Sequence, residues 1–373
     1  MRFRMKKVNH LESLDALRGF DMLLISGVGM TVLGFCFLVP GGHDCWIANQ
    51  FRHAKWEGLS LWDTIFPLFI FIAGVSFPFS FARQRERGDS AWRMHGKIFR
   101  RLFCLVLLGM IYNGVLQFDF SDFRYASVLG KIGIAWAVAA ILYLHFGVRT
   151  RICIAMAMLA GYWAILNVTA PDAPPGTGSW TVEGCFPGYL DRIGFTPGHL
   201  YEKNLLEPSG LPVSFFGSSV TAMIGMLAGD VLKSSRPGFT ASCKALVLAL
   251  AGLLALMAGA GASLACPVIK KLWTPSFTLL TGGYSFLMLA LFYWIVDVKG
   301  FRRWCFFLKV VGVNSIAVYM FKRIVDCTGL SRFFLGGVAK LLPDPQFVLG
   351  VGVVLICWGI CYVMYRYEVR LKV

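Results

Sequence analysis

Residues 62–82 read WDTIFPLFIFIAGVSFPFSFA. A single carboxylate, Asp63, stands near the start, and the nineteen residues after it carry no charge. A surface helix of a soluble protein shows one polar face, and this stretch has none. About 20 mostly apolar residues match the hydrocarbon thickness of a bilayer, so the stretch reads as a membrane-spanning helix.

Nine further stretches read the same way: 20–39, 99–116, 127–146, 151–169, 212–232, 244–265, 275–296, 305–324 and 347–366. The ninth in chain order, 305–324, is the weakest, with Lys309 near its start and Lys322 and Arg323 at its end. Composition agrees. Of 373 residues 57% are hydrophobic and 15% charged, and the mean hydropathy is +0.65; soluble chains carry about 25% charged residues. The expected fold class is therefore an all-α polytopic integral membrane protein, a single helical bundle of about ten transmembrane helices. The basic start MRFRMKK resembles a signal peptide, but the apolar run after it is too long for an h-region and no A-x-A-like site follows. It reads as an uncleaved first helix. The organisation expected is a cytoplasmic segment 1–19, a transmembrane domain 20–366 with an outer loop 170–211, and a cytoplasmic tail 367–373.

The formal charge of +16 could suggest nucleic acid, but the basic residues cluster in short loops between apolar runs. Alternating the loops between two faces puts 24 of the 36 Lys and Arg on the face that holds both termini. That bias predicts cytoplasmic termini, with no nucleic-acid partner. Most of the eleven Cys lie in apolar runs and read as small buried hydrophobes. Cys45, Cys185 and Cys266 fall in loops on one predicted side, where a disulfide is allowed. No zinc-like spacing, P-loop, GxSxG or HExxH is present, and no metal is expected.

Two segments carry the chemistry. In SLDALRGFD, residues 13–21, Asp15, Arg18 and Asp21 recur at helical spacing beside the first span. An ion-paired helix end at the headgroups explains this as well as a phosphate-binding Arg18 does. In FRHAKWEGLSLWDTIFP, residues 51–67, His53 stands three residues before Trp56 and four before Glu57, with Asp63 at the mouth of the span. Ionisable groups at a span are expensive and suggest function; the alternative is a polar interfacial anchor. Glu57 and Asp63 are both placed to orient His53, and Pro67 should disturb the helix locally. The arginine-rich stretch 83–101, including Arg100 and Arg101, satisfies topology and equally suits a polyphosphate such as coenzyme A. Asn314 falls inside a predicted span, where a polar residue usually bonds a neighbouring helix. The 170–211 segment, rich in Pro and Gly, holds Asp191, Arg192 and His199 and has the length of a binding lid or a disordered loop.

These residues resemble a known family. S-L-D-A-L-R-G-F-D-M is similar to the N-terminal signature of membrane acyltransferases. F-R-H-A-K-W-E-G-L-S-L-W-D-T-I-F-P-L-F-I-F-I-A-G resembles the heparan-α-glucosaminide N-acetyltransferase family and its bacterial relatives. G-Y-L-D-R at Asp191, H-L-Y at His199, L-W-T-P-S-F-T-L at Trp273, V-D-V-K-G at Asp297 and G-V-N-S-I at Asn314 follow in order. The resemblance implies transfer of acetyl from cytosolic acetyl-CoA to an amino sugar across the membrane. His53 matches the family's active-site histidine and Asp63 its acidic partner. Arg18, Arg100, Arg101 and Asn314 become candidates for acetyl-CoA, and Trp56, Glu57, Asp191, Arg192 and His199 for the sugar. The expected partners are acetyl-CoA, an amino sugar or glycan and the lipid bilayer, with a homodimer allowed. Gly29 stands where the animal enzyme has Asn, Lys322 where it has His, and an extra segment holds His43 and Asp44. An O-acyltransferase acting on a glycan hydroxyl, or a small-molecule transporter, remains the alternative.

Overall fold

The computed structural model describes residues 11–121, 123–196 and 198–371. Arg2, Arg4, Lys6 and Lys7 of the basic start lie outside the described residues. Every extended element among the described residues is a helix; the only β pairs are isolated bridges. Among the described residues eight helices are long and apolar enough to cross a membrane: Glu12–Phe37, Leu61–Glu86, Val128–His145, Val148–Leu166, Leu211–Lys233, Ala241–Ala262, Pro275–Val298 and Gln346–Arg366. The chain is an all-α polytopic membrane protein.

The two other predicted stretches are helical but differ from a plain span. Residues 99–116 lie largely within Ala91–Asn113, whose first half carries Arg93, Lys97, Arg100 and Arg101. Residues 305–324 break at Val313–Asn314 into Phe306–Gly312 and Ser315–Ile324. The first helix starts at Glu12, eight residues before the apolar run, because Asp15 and Arg18 are accommodated as an ion pair at 3.5 Å. All eleven cysteines are free thiols, so no disulfide joins Cys45, Cys185 or Cys266.

The chain divides into two compact units: Met1–Ala48, Gly238–Ala249 and Leu287–Lys372, and Asn49–Pro237 with Leu250–Phe286. In the first unit, helix Glu12–Phe37 is broken in mid-span. Ser26 leaves the helical region and Gly27 takes φ +129, a conformation that favours glycine. Lys322 Nζ donates to the carbonyl of Ile25 at 2.5 Å, and Thr31 Oγ1 to that of Gly27 at 2.9 Å, so the break is partly capped by side chains. Asn314 does not bond a neighbouring helix. Its Nδ2 donates to Val369 O at 3.0 Å and its Oδ1 accepts from Leu371 N at 3.3 Å, which ties down the segment after the last helix.

In the second unit, Leu61–Glu86 lies against Ser219–Lys233 at backbone distance. A Cβ on Gly225 would come within 2.1 Å of Phe71 O, and one on Gly229 within 2.5 Å of Val75 O. Small residues permit this approach where no hydrophobic effect drives association. Helix Leu61–Glu86 passes through Pro67 and Pro78 without ending; Pro67 has no N–H to give the carbonyl of Asp63. The described residues of the 170–211 segment include a helix at Phe186–Gly194, and their polar groups bond both within the segment and to Trp56, Phe123, Arg124 and Lys271 outside it. The segment packs on a core of Tyr162, Leu166, Cys185, Leu206, Ile269 and Leu272, joined by Trp56 and Trp180.

Candidate active site

Residues 52–60 are irregular chain rather than helix, so the i,i+3 and i,i+4 relations expected from His53 to Trp56 and Glu57 do not arise. Gly58, at φ +121, turns the segment, and its N–H donates to Val268 O at 2.8 Å beside a bridge between Glu57 and Ile269. The loop that carries His53 is thus fastened to residues 268–270. Ser60 then starts helix Leu61–Glu86, and Asp63, three residues on, reaches back to its N–H at 3.2 Å, the return half of a capping box.

Asp63 is the hub. Its side chain is wholly buried. Oδ1 accepts from His53 Nδ1 at 2.7 Å and from Lys270 Nζ at 3.0 Å. Oδ2 accepts from Ala54 N at 3.1 Å, Ser60 N at 3.2 Å and Ser60 Oγ at 2.8 Å. Lys270 Nζ also lies 3.0 Å from His53 Nδ1. A neutral imidazole has one donor and one acceptor nitrogen. The shorter contact is to the carboxylate, so Nδ1 is assigned the proton and Lys270 donates to Asp63. The His53 side chain is 57% exposed, and Nε2 keeps its lone pair. A carboxylate that fixes the tautomer on one side of an imidazole and leaves the other nitrogen free is the arrangement used for base or nucleophilic catalysis. Burial pushes the Lys270 ammonium below its ordinary range, and Asp63 opposes that shift.

Lys270 and Ser60 were missed from sequence. Lys270 entered only as one basic loop residue, although it stands three residues before Trp273 in a motif already singled out. Nothing in the sequence separates it from Lys271, which pairs instead with Glu202 at 2.6 Å.

The other candidate residues are placed as follows. Trp56 Nε1 donates to Trp180 O at 2.8 Å, which docks the His53 loop on the 170–211 segment. Glu57 is exposed beside that contact. Asp191 is buried and accepts from Glu207 N at 3.0 Å; burial, with help from the Glu207 charge, raises its carboxyl to about 7. Arg192 holds Asp172 through two bonds of 2.7 and 2.8 Å. His199 is buried, with Nδ1 2.6 Å from Phe123 O. Asp191 and Arg192 brace the segment itself, and His199 ties it to Phe123. Arg101 stacks 4.1 Å from the Trp136 ring centroid and Arg100 is exposed; both belong to the His53 unit, whereas Arg18 and Asn314 belong to the other. Among the described residues no group of three or more His, Cys, Asp or Glu is placed to hold a metal.

No family model matches the chain. It is similar to the heparan-alpha-glucosaminide N-acetyltransferase of Homo sapiens, 29% identical over 365 residues, which is 83% of this chain and 52% of the human protein. The Mus musculus enzyme of the same name is 27% identical over 378 residues, 87% of this chain and 55% of the mouse protein. The chain spans about half the length of the curated relatives it matches. Motifs and overall similarity point the same way: over most of its length the chain is similar to heparan-alpha-glucosaminide N-acetyltransferases.

Proposed function

We propose that this chain is a membrane acetyltransferase that moves acetyl from acetyl-CoA to the amine of a glucosamine-type sugar. The observation that carries the reading is the His53 imidazole, oriented through Nδ1 by buried Asp63 and presenting Nε2 outward. The amine nitrogen attacks the thioester carbonyl, the C–S bond breaks and CoA leaves as thiolate. His53 Nε2 takes the amine's proton and returns it to the thiolate. In the two-step form Nε2 attacks first, CoA leaves, and the amine then takes acetyl from the imidazole. Lys270 holds the carboxylate that orients the ring. Trp56, Glu57, Asp191, Arg192 and His199 are proposed for the acceptor side, the last three by shaping the 170–211 segment.

Arg100 and Arg101 are the residues of this unit proposed to meet the CoA phosphates. The part proposed for Arg18 and for Asn314 is tested by substituting each on its own. The membrane proposed is the bacterial inner membrane, with both termini in the cytoplasm and residues 170–211 outside. A reporter fused at the C-terminus should then be active only in the cytoplasm and one inserted near Gly178 only outside.

The deciding experiment is transfer of labelled acetyl from acetyl-CoA to a panel of amino sugars by the purified protein in vesicles. Product with glucosamine-type acceptors, absent in His53→Ala, is the expected result. Label on hydroxyls alone would move the reading to an O-acyltransferase. A transporter is the second reading, because the broken first helix resembles the discontinuous helices of substrate sites. Uptake of the sugar without acetylation would establish it in place of the first.

A further inference from the structure

Lys131 sits in the first turn of Val128–His145, one of the helices long and apolar enough to span a membrane, yet only 2% of it is exposed. A buried lysine there needs a reason. Its Nζ donates to Pro208 O at 2.8 Å. It lies 3.8 Å from the ring centroid of Trp273 and 5.4 Å from that of Phe66. Arg124, Glu207 and Lys270 are the charged groups it feels.

Both rings belong to segments that build the His53 site. Phe66 follows Asp63 by three residues, hence on the same side of its helix. Trp273 closes the turn that starts at Lys270. Its N–H donates to Lys270 O at 3.0 Å, its backbone has φ +51, and its Nε1 is held by Thr221 Oγ1 at 3.1 Å. A tryptophan at positive φ is strained and persists only where its surroundings over-determine it. The Lys131 amine on the indole face is one such constraint. Opposite it, Pro208 follows Glu207, which Arg124 grips and whose carboxylate also takes Ser209 N. The amine of Lys131 is therefore clamped between the 207–209 turn and the turn that presents Lys270.

We infer that Lys131 is a positioning residue: held by Pro208, it fixes the Trp273 turn and so keeps Lys270 on Asp63 and His53. This rests on the acetyltransferase reading for its catalytic meaning, but not for its geometry. Without the amine, Trp273 loses its face contact and the Lys270–Trp273 turn can relax away from Asp63.

The test reads Lys270 directly. Purified protein is treated briefly with an amine-selective succinimidyl ester, and labelling of each lysine is mapped by peptide mass spectrometry, with exposed Lys55 as internal reference. Lys131→Met should raise labelling of Lys270 relative to Lys55 about fivefold, the size of effect expected when a contact of ordinary strength is lost. Lys131→Arg, which keeps a donor and a cation for the ring, should restore protection. Lys131→Gln serves if the methionine variant does not fold. Unchanged Lys270 labelling in the variant that folds overturns the inference, whatever acetyl transfer does. In the transfer assay, Lys131→Met should lower kcat more than it raises KM. Combined with Lys270→Ala it should add almost nothing to the single loss, since residues acting as one unit are non-additive. Additive losses would mark Lys131 as merely structural. A wild-type protein that transfers no acetyl counts against the acetyltransferase reading alone, because the labelling result still decides the position of Lys270.

Discussion

Two aspartates stand on two membrane-spanning helices, and their surroundings are opposites. Asp63, on Leu61–Glu86, receives five hydrogen bonds from His53, Ala54, Ser60 and Lys270. Asp21, on Glu12–Phe37, is as deeply buried at 1% exposure, and among the described residues neither of its carboxylate oxygens has a hydrogen-bond partner. Burial of a carboxylate is costly in both cases. At Asp63 the cost is offset by donors, one of which is the His53 imidazole that the carboxylate orients. At Asp21 it is not. A buried charge by itself therefore says little about a site; the partners that saturate it say much more.

That contrast makes graded predictions. The largest effect belongs to His53. His53→Ala should lower acetyl transfer by about 10²–10⁴-fold, the usual worth of a general base, and further if an acetyl-imidazole is obligatory. Thermal stabilisation of the protein by acetyl-CoA should survive. Incubation with labelled acetyl-CoA and no acceptor labels the wild type, and not the variant, only in the two-step route. A His53→Ala protein that transfers acetyl at the wild-type rate would remove the reason for singling out Asp63.

Next come the two aspartates themselves. Asp63→Asn leaves Lys270 without its counter-charge and turns an NH2 donor toward one of the two donor sets that the carboxylate oxygens served. It should cut transfer by about 10²-fold or more and destabilise the protein by about 3–5 kcal/mol, the usual penalty for breaking a buried pair. Asp21→Asn breaks no bond and exchanges an ionisable group for a neutral one, so melting temperature should hold or rise. Equal losses of stability in the two variants, read by thermal unfolding in detergent, would erase the contrast.

The smallest effect concerns Asp191. Its carboxyl titrates at about 7 against an ordinary 3.8 because burial favours the neutral form. The folded state therefore binds the proton more tightly than the unfolded one. The contribution is complete below the ordinary value and disappears as pH rises through about 7. Protease cleavage within 170–211 should increase from pH about 5 to about 8, and Asp191→Asn should flatten that dependence. A wild-type loop equally resistant across the range would refute the assignment.

The spans and the His53–Asp63 pair were legible in the sequence because both are local signals: an uncharged run, and two ionisable residues beside it. Lys270 was not legible. It lies 207 residues from Asp63, and only folding decides which of two adjacent lysines turns inward. The partners of Arg192 and His199 were not legible for the same reason: only folding brings Asp172 and Phe123 to them. Asn314 was expected to bridge helices, but the partner it found was the chain after the last helix, which hydropathy cannot anticipate. The break at Ser26–Gly27 left no mark on the apolar pattern either, since glycine is common in membrane helices.

That break has a bearing on how the protein enters a bilayer. The halves on either side of it, Glu12–Leu23 and Gly29–Phe37, hold 12 and 9 residues. At 1.5 Å per residue neither reaches across the about 30 Å of hydrocarbon. The insertion machinery must therefore accept the segment whole, with Asp21 costing about 2.5–3.5 kcal/mol near its middle. The carbonyl of Ile25 then has to wait for Lys322, 297 residues later in synthesis, so this helix is finished long after it is made.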